Sequence, residues 1–448
     1  MKLAFLVFLN KLITKVLHLL RKNGSQYPGY FIYDVLKQKD VLEHIKYPKY
    51  VVAVTGSSGK GSTTNLVNHI LTDNGYKVCY NESGGNGVLA IVTKILNSCN
   101  FKGELKCDVL LLECDERHLK LIFGKNKMTH LIITNITRDQ PSRNGNPIDV
   151  FNDILLAIDK NCKILINKDD PLLNRLTYSL DNEIKTYGVS KLDASFKNPT
   201  LDNLDFAYCP KCHTKLKYNY YHYGHIGNFY CPNCDFKRGK VDYEVTKVDY
   251  KNHYIVIDNE KIFLNKDVLY AVYYTLGSYS ICRMLGLSKN DILHSLNDNK
   301  LEAKRGKEFL INGRKLTMLE TKNENNLSYY QSIRYIKDQE GKKSIILGFQ
   351  NVSRRYKFND LSWLYDIDFE LLNDENIDKI FILGRFKYDV KCRLMMANIS
   401  EEKMVLVDDV NNLPELVKDS VGDIYTMVCF DMTEAILKVV RSVNDENN

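Results

Sequence analysis

Short apolar runs separated by longer amphipathic stretches set the rhythm of residues 50–190. Tyr50-Val51-Val52-Ala53-Val54, Val109-Leu110-Leu111-Leu112, His130-Leu131-Ile132-Ile133-Thr134 and Lys163-Ile164-Leu165-Ile166-Asn167 are each short and almost uninterrupted. Such runs read as strands buried on both faces. Their alternation with helical stretches, residues 65–74 among them, predicts a parallel sheet with helices on both sides. Residues 205–240 break the rhythm with Cys, Tyr, Pro and Gly. Residues 241–263 read as hairpin material turning at Asp258-Asn259-Glu260, and residues 268–285 as a helix. A second α/β pattern begins near residue 312, with Ser344-Ile345-Ile346-Leu347 and Lys379-Ile380-Phe381-Ile382-Leu383 as strands. No internal repeat and no long low-complexity tract is present.

The amino terminus has a different pattern. Residues 3–9 are apolar, but Lys11, Lys15 and His18 interrupt the stretch after them. No stretch approaches the roughly 20 apolar residues of a membrane span, and no small-residue cleavage site comes after the run. Residues 1–22 therefore read as an amphipathic helix with a basic side, expected to pack on its own domain rather than lie on a membrane. The expected location is cytoplasmic, peripheral contact with the inner face of the membrane being the alternative. A chain of 448 residues is too long for one core and implies two or three domains. A net charge of +7 at this length is mild, compatible with anionic substrates and too weak to mark a nucleic-acid binder. Of the 12 cysteines, four are patterned and eight scattered, the usage of a reducing compartment rather than a disulfide scaffold.

Chemistry concentrates at the ends of the predicted strands. The first strand runs directly into T-G-S-S-G-K-G-S-T-T, residues 55–64, and then into a helix. Strand, Gly-rich loop and helix make a phosphate cradle, because glycines let N–H groups turn inward and the helix supplies its positive dipole end. The strict pattern would place a glycine at Val54, so a plain Gly/Ser turn is the bland alternative. Glu113-Cys114-Asp115-Glu116 ends the second run, where a carboxylate can hold Mg²⁺ or simply be a solvated acidic turn. Asn135 in Thr134–Gln140 and Asn167 and Asp169 in Asn167-Lys168-Asp169-Asp170-Pro171 end two more, facing the crevice where open α/β sheets bind ligands. Cys209-Pro-Lys-Cys212 and Cys231-Pro-Asn-Cys234, separated by 18 residues, fit a tetrahedral structural zinc site. Tyr218 to Tyr223 with Lys215 and Lys217 offer base-stacking surface, but are expected to pack the cysteine hairpin, with no nucleic-acid partner. Asp360-Leu361-Ser362-Trp363, then Asp366, Asp368 and Glu370, reads on its own as a solvated acidic turn.

Taken together these motifs resemble the Mur-ligase-like synthetase subunits of lipid II isoglutaminyl synthase, the MurT family, over nearly the whole chain. The resemblance rests on the phosphate loop, N-E-S-G-G-N at 81–86, E-C-D-E at 113–116, T-N-x-x-R-D-Q at 134–140, N-x-D-D-P at 167–171, the cysteine pairs, and D-L-S-W-L-Y-D-I-D-F-E at 360–370. It implies an α/β fold with an N-terminal helical segment (1–45), a Mur-type P-loop ATPase domain (46–302) carrying an inserted four-cysteine zinc ribbon (about 205–240), and a C-terminal α/β Mur-type domain (303–448). It implies that Gly56, Ser57, Ser58, Gly59, Lys60, Gly61, Ser62 and Thr63 hold ATP, with Asn135, Asn167, Asp169 and Arg305, and that Ser62 and Glu113 hold Mg²⁺. Cys209, Cys212, Cys231 and Cys234 would hold Zn²⁺. The implied reaction is amidation of the D-glutamate α-carboxyl of the lipid II stem peptide through an acyl-phosphate, at the membrane surface. Ammonia would come from a GatD-type glutamine amidotransferase subunit in a heterodimer, and Asp360 would complete that partner's Cys-His triad. One departure concerns residues 268–274, where the family's two asparagines are replaced and the chain reads Val-Leu-Tyr-Ala-Val-Tyr-Tyr.

Overall fold

The computed structural model describes residues 2–82, 84–124, 127–140, 145–199, 206–297, 307–321, 325–350 and 360–445. Two sheets organise it. The first has nine strands in the order β11-β10-β9-β6-β5-β4-β1-β3-β2. Its parallel part is β1 (Tyr50–Thr55), β2 (Val78–Tyr80), β3 (Val109–Glu113), β4 (His130–Ile133), β5 (Lys163–Asn167), β6 (Ile184–Val189) and β9 (Tyr243–Asp249). The predicted runs fall on these strands. Their centres are fully buried because helices cover both faces, leaving Val52, Val54 and Leu111 on one side and Val51, Ala53 and Leu112 on the other.

The hairpin material of residues 241–263 lengthens this same sheet. β9 joins β6 in parallel and then leads antiparallel to β10 (Tyr254–Ile257) and β11 (Glu260–Phe263). Asp258 and Asn259 turn the chain with φ of 50° and 64°, a conformation their short polar side chains tolerate. Between β6 and β9, β7 (Lys217–Tyr223) and β8 (Ile226–Tyr230) pair as a separate two-stranded hairpin.

Helix α1 (Leu3–Leu19) lies against α3 (Val88–Ser98), as the amphipathic pattern predicts. Leu6 and Val7 enter the core, and buried Asn10 donates to the Thr93 carbonyl at 3.1 Å and to Asn97 Oδ1 at 2.8 Å. Helix α2 (Lys60–Asp73) starts at Lys60, ahead of the apolar pattern near residue 65. Its first turn is Gly, Ser and Thr, so hydrophobicity does not announce it; Gly59, left-handed at φ 83°, swings the chain into it. Helix α4 (Leu269–Met284) packs on α2, Ser278 Oγ donating to the Thr63 carbonyl at 3.3 Å.

The second sheet has six strands in the order β12-β13-β17-β14-β15-β16. β12 (Lys307–Ile311) and β13 (Arg314–Thr321) form an antiparallel hairpin; β14 (Lys343–Gly348), β15 (Ile377–Leu383), β16 (Met404–Val407) and β17 (Asp423–Cys429) are parallel. Helix α5 (Asn326–Lys337) covers one face. Beneath it Trp363, fully buried, meets the rings of Tyr329 and Phe349 at 5.5 and 5.6 Å. The acidic segment around Trp363 is thus anchored by an aromatic core and is not a solvated turn.

Candidate phosphate-binding and ligase site

The sequence-predicted polar strand ends converge on one edge of the nine-stranded sheet. β1 ends at Thr55 and the loop Gly56–Gly59 comes next. Gly56 sits at φ 125°, and a Cβ there would come within 2.3 Å of Thr134 Oγ1 and 2.7 Å of the Asn135 carbonyl. Only glycine fits this close crossing. Asn135 then fastens the loop: its Oδ1 accepts from Ser58 N and Ser58 Oγ, both at 3.1 Å, and its Nδ2 donates to the Ser58 carbonyl at 3.1 Å. Ser57 N donates to the Asn135 carbonyl at 2.8 Å, and Ser57 Oγ accepts from Thr137 N at 2.9 Å. Asn135 therefore shapes the loop. A Cβ on Gly59 would meet nothing within 4 Å, so the loop faces open space there.

Lys60 opens α2 inside the cradle and is buried. Its Nζ donates to Glu116 Oε1 at 2.6 Å and to the Gly56 carbonyl, and Glu116 Oε1 also accepts from Gly56 N at 3.1 Å. Burial pushes the Lys60 ammonium toward deprotonation, but the carboxylates of Glu116, Asp139 and Glu113 outweigh it and hold the pKa above the ordinary lysine value. Lys60 is thus a fixed cation at the mouth of a helix N-terminus. Glu113, at the end of β3, aims its Oε2 at the start of α2, 3.1 Å from where a Cβ on Gly61 would stand. Asn86 Nδ2 donates to Glu113 Oε1 at 3.1 Å, and Asn81 braces the Glu113 backbone at 2.8 Å on both its N–H and its carbonyl. That gives the N-E-S-G-G-N stretch a physical role: it positions Glu113. Ser62 is half-buried on the same first turn, and the buried Thr63 and Thr64 hydroxyls have no partner among the described residues. A hard cation prefers such oxygen donors beside a carboxylate, so Ser62, Thr63 and Glu113 fit Mg²⁺.

The N-x-D-D-P stretch has two roles. Asn167 is fully buried with Nδ2 unpartnered among the described residues. Asp169 is enclosed: its carboxylate takes Arg238 Nε, Tyr273 OH and Val189 N, each at 2.8 Å. Tyr273 lies in the segment where the family's asparagines are replaced, and Arg238 lies just past the last cysteine pair. Asp170 caps the helix Pro171–Asn174 and accepts from Ile136 N at 2.9 Å. Arg238, Tyr273 and Glu116 escaped the sequence-derived set. Of these only Glu116 carried a local signal, as the last acid of E-C-D-E.

The four cysteines come together. Their Sγ atoms lie within 4.8 Å of one another, with Cys212–Cys231 at 3.4, Cys209–Cys234 at 3.5 and Cys212–Cys234 at 3.7 Å. A tetrahedron with Zn–S of about 2.3 Å has edges near 3.8 Å. Lys211 N and Asn233 N each donate to the first sulfur of their pair at 3.4 Å, which stabilises thiolates. Phe229 and Phe236 pack beneath. Of the hairpin tyrosines only Tyr218 packs against the cysteine cluster, its ring 6.0 Å from Phe229 and stacked on Tyr221 at 3.9 Å. Tyr223 instead enters the core of the main domain and meets Tyr273 edge-on, a departure from the expectation that they all pack the cysteine hairpin.

Two contacts bring the second sheet's domain to the loop. Asn325 Nδ2 donates to Asp139 Oδ1 at 3.0 Å, and Arg138 pairs with Asp366 at 3.5 Å. Asp366 belongs to the D-x-S-W segment, so that segment leans on the strand end next to the phosphate loop. Asp360 is half-buried, its Oδ1 capping the following turn through Ser362 N at 2.9 Å. It lies apart from the Lys60 cluster in role: it is a partly exposed acid on the second domain. Arg305 falls outside the described residues.

Comparison with known proteins agrees with this geometry. Residues 54–233 match the model of the Mur ligase middle domain and residues 323–430 that of the MurT ligase C-terminal domain. The chain is 30% identical over 402 residues to the MurT subunit of the lipid II isoglutaminyl synthase of Streptococcus pneumoniae, covering 88% of this chain and 86% of that one. It is 28% identical over 403 residues to the Staphylococcus aureus counterpart, covering 88% and 87%. Among solved structures it superposes on a pseudomurein peptide ligase type C from Methanothermus fervidus, with a TM-score of 0.69, 17% identity and coverage of 90% and 81%. A MurF ligase from Thermotoga maritima in complex with ADP gives a TM-score of 0.60 at 15% identity, covering 94% and 85%. With a Mur-type fold, a fixed lysine in its glycine loop and this likeness along most of its length, the chain belongs to the MurT family of lipid II isoglutaminyl synthase subunits and is a ligase of the Mur type.

Proposed function

We propose that this protein is the synthetase subunit of a lipid II isoglutaminyl synthase. It would use ATP to amidate the D-glutamate α-carboxyl of the stem peptide in peptidoglycan synthesis. The observation that carries this is Lys60, a buried ammonium at the head of α2, inside a loop whose neighbours Glu113 and Asn135 are themselves locked by hydrogen bonds. Phosphoryl transfer rests on such fixed positioning and charge stabilisation.

In this reading Gly56, Ser57, Ser58, Gly59, Gly61, Ser62 and Thr63 line the triphosphate, the turned backbone donating to its oxygens. Lys60 neutralises charge on the transferring phosphoryl. Ser62 or Thr63, with Glu113, would hold Mg²⁺, which would supply positive charge to stabilise the transferring phosphoryl. Asn167, with its unpartnered buried Nδ2, and Arg305 are assigned to the nucleotide. Asp169 acts on the site indirectly, by fixing Arg238 and Tyr273. A carboxylate oxygen of the substrate takes the γ-phosphoryl and ADP leaves; ammonia then attacks the carboxyl carbon and phosphate departs with that oxygen. The chain contributes positioning and electrostatics.

The remaining parts of the reading complete the assembly. Zn²⁺ in the Cys209, Cys212, Cys231 and Cys234 site would close the ribbon, supported by sulfur spacings near those of a tetrahedral site. The ammonia source would be a GatD-type glutaminase subunit docked on the C-terminal domain. Asp360 would orient that subunit's histidine. The experiment is product analysis by mass spectrometry with lipid II, ATP, Mg²⁺ and ammonium chloride. Amidated lipid II from the wild type but not from Lys60→Ala supports the proposal. A zinc-loaded, folded chain that forms no amide even with its glutaminase partner refutes it.

A further inference from the structure

Helix α1 carries a face that its own domain leaves bare. Leu6, Val7 and Asn10 hold it to the domain. On the other side Phe5, Phe8, Leu12, Val16 and Leu19 are 50, 50, 45, 43 and 75% exposed. At roughly 100° per residue these five side chains share a sector about 80° wide that runs the length of the helix. Of the 21 large apolar side chains exposed among the described residues, nine lie between Phe5 and Val35, so the exposure is concentrated rather than scattered. Phe101, 58% exposed, extends the patch, with Lys11 Nζ 5.9 Å from its ring centre.

Charge selects the occupant of this face. Residues 1–33 contain Lys2, Lys11, Lys15, Arg21 and Lys22 and no acidic residue; the first is Asp34. An open groove of ≈ 500 Å³ runs beside the stripe, lined by Lys11, Thr14, Lys15, His18, Leu19 and Asn97, with no carboxylate. A second copy of the helix would bring like charges together. A water-facing stripe of aromatic and aliphatic groups edged by lysines complements one surface: acyl chains beneath a layer of anionic phosphates. No helix among the described residues is long and apolar enough to cross a membrane, and α1 has 17 residues with two lysines inside it.

We propose that α1 is a membrane-docking helix that lies in the headgroup plane of an anionic bilayer. The Phe5–Leu19 stripe enters the acyl boundary and the Lys11–Lys15 groove receives lipid phosphates. This surface does not depend on the proposed amidation, and its test contains no peptidoglycan precursor.

The test is co-sedimentation of the full chain with phosphatidylglycerol–phosphatidylcholine vesicles and with pure phosphatidylcholine vesicles. The wild type binds the anionic vesicles at least tenfold more strongly. The triple change Phe5→Ser, Phe8→Ser, Leu12→Ser lowers that binding more than about tenfold, because each buried methylene contributes on the order of 0.8 kcal/mol. Lys11→Glu with Lys15→Glu lowers it about tenfold and removes most of its salt dependence. These positions are exposed or half-buried, and an unchanged melting temperature with and without ATP confirms an intact fold. The proposal is overturned by wild-type protein that ignores anionic vesicles, by a stripe variant that binds as wild type does, or by a wild-type dimer that the stripe variant converts to monomer.

Discussion

Glu116→Gln tests the electrostatic design of the phosphate loop. Lys60 Nζ sits 2.6 Å from Glu116 Oε1, with side-chain exposures of 8% and 4%. Removing one partner of a buried pair outright costs about 3–5 kcal/mol, because the other charge is stranded. Glutamine leaves an acceptor oxygen for Lys60 and for Gly56 N, and Asp139 and Glu113 still face the ammonium. The loss is therefore closer to a charged hydrogen bond, about 2 kcal/mol. For a unit the size of the ATPase domain this lowers the melting temperature by about 4–8 °C. A bound triphosphate returns negative charge to Lys60, so the stabilisation by ATP and Mg²⁺ is larger in the variant than in the wild type. Scanning calorimetry with and without nucleotide reads both quantities. A variant melting within about 1 °C of wild type, or one that gains no more from ATP, would show that Glu116 does not hold Lys60.

Four further outcomes follow from the geometry and the proposed function. Asp360→Asn should keep ammonium-dependent amidation and lose glutamine-dependent amidation by at least about a hundredfold in the reconstituted complex, since an asparagine cannot hold the imidazolium; equal losses with both nitrogen donors would remove Asp360 from the glutaminase. Asp169→Ala leaves Arg238 Nε, Tyr273 OH and Val189 N buried without their acceptor and the 4% exposed guanidinium with Glu244 as its remaining carboxylate, and should cost about 3–5 kcal/mol by denaturant unfolding, against less than about 1 kcal/mol for the half-exposed Glu244→Gln. The isolated chain should carry one zinc per molecule by elemental analysis, reduced at least several-fold in Cys209→Ser with Cys231→Ser. Burial, and after it Lys163, pushes the His130 imidazole down to about 4 from its ordinary 6.5. The unfolded chain takes up that proton first, so stability is full above pH 6.5 and falls by up to about 3 kcal/mol as pH drops toward 4. A His130→Gln chain should show a shallower acid slope in urea titrations, and an unaltered slope would count against the assignment.

The sequence made some levels of this structure readable and hid others for physical reasons. The parallel strands were visible because both of their faces are buried, which forces unbroken aliphatic runs such as Val109–Leu112. The polar residues closing each run were visible because they interrupt that constraint at the sheet edge. The cysteine pairs were visible because two C-x-x-C pairs 18 residues apart form a local pattern, and the fold brings all four sulfurs within 4.8 Å of one another. Arg238 with Asp169 and Tyr273 with Asp169 were not, since they are common residue types 69 and 104 positions apart in the chain. The start of α2 was hidden because its first turn is built from Gly, Ser and Thr rather than apolar residues. The acidic look of 360–370 misled for the opposite reason. Charges at Asp366 and Glu370 are held by Arg138 and Arg393 around a buried Trp363, and only the fold brings those arginines near.

The most direct measurement of the central claim traces oxygen. Lipid II labelled with ¹⁸O in the D-glutamate α-carboxyl is incubated with the zinc-loaded chain, its glutaminase partner, ATP and Mg²⁺, and the released phosphate is analysed by mass spectrometry. The account predicts one labelled oxygen in phosphate for each amide formed, and neither product with Lys60→Ala. Amide without label in phosphate, or unchanged turnover in Lys60→Ala, would contradict it.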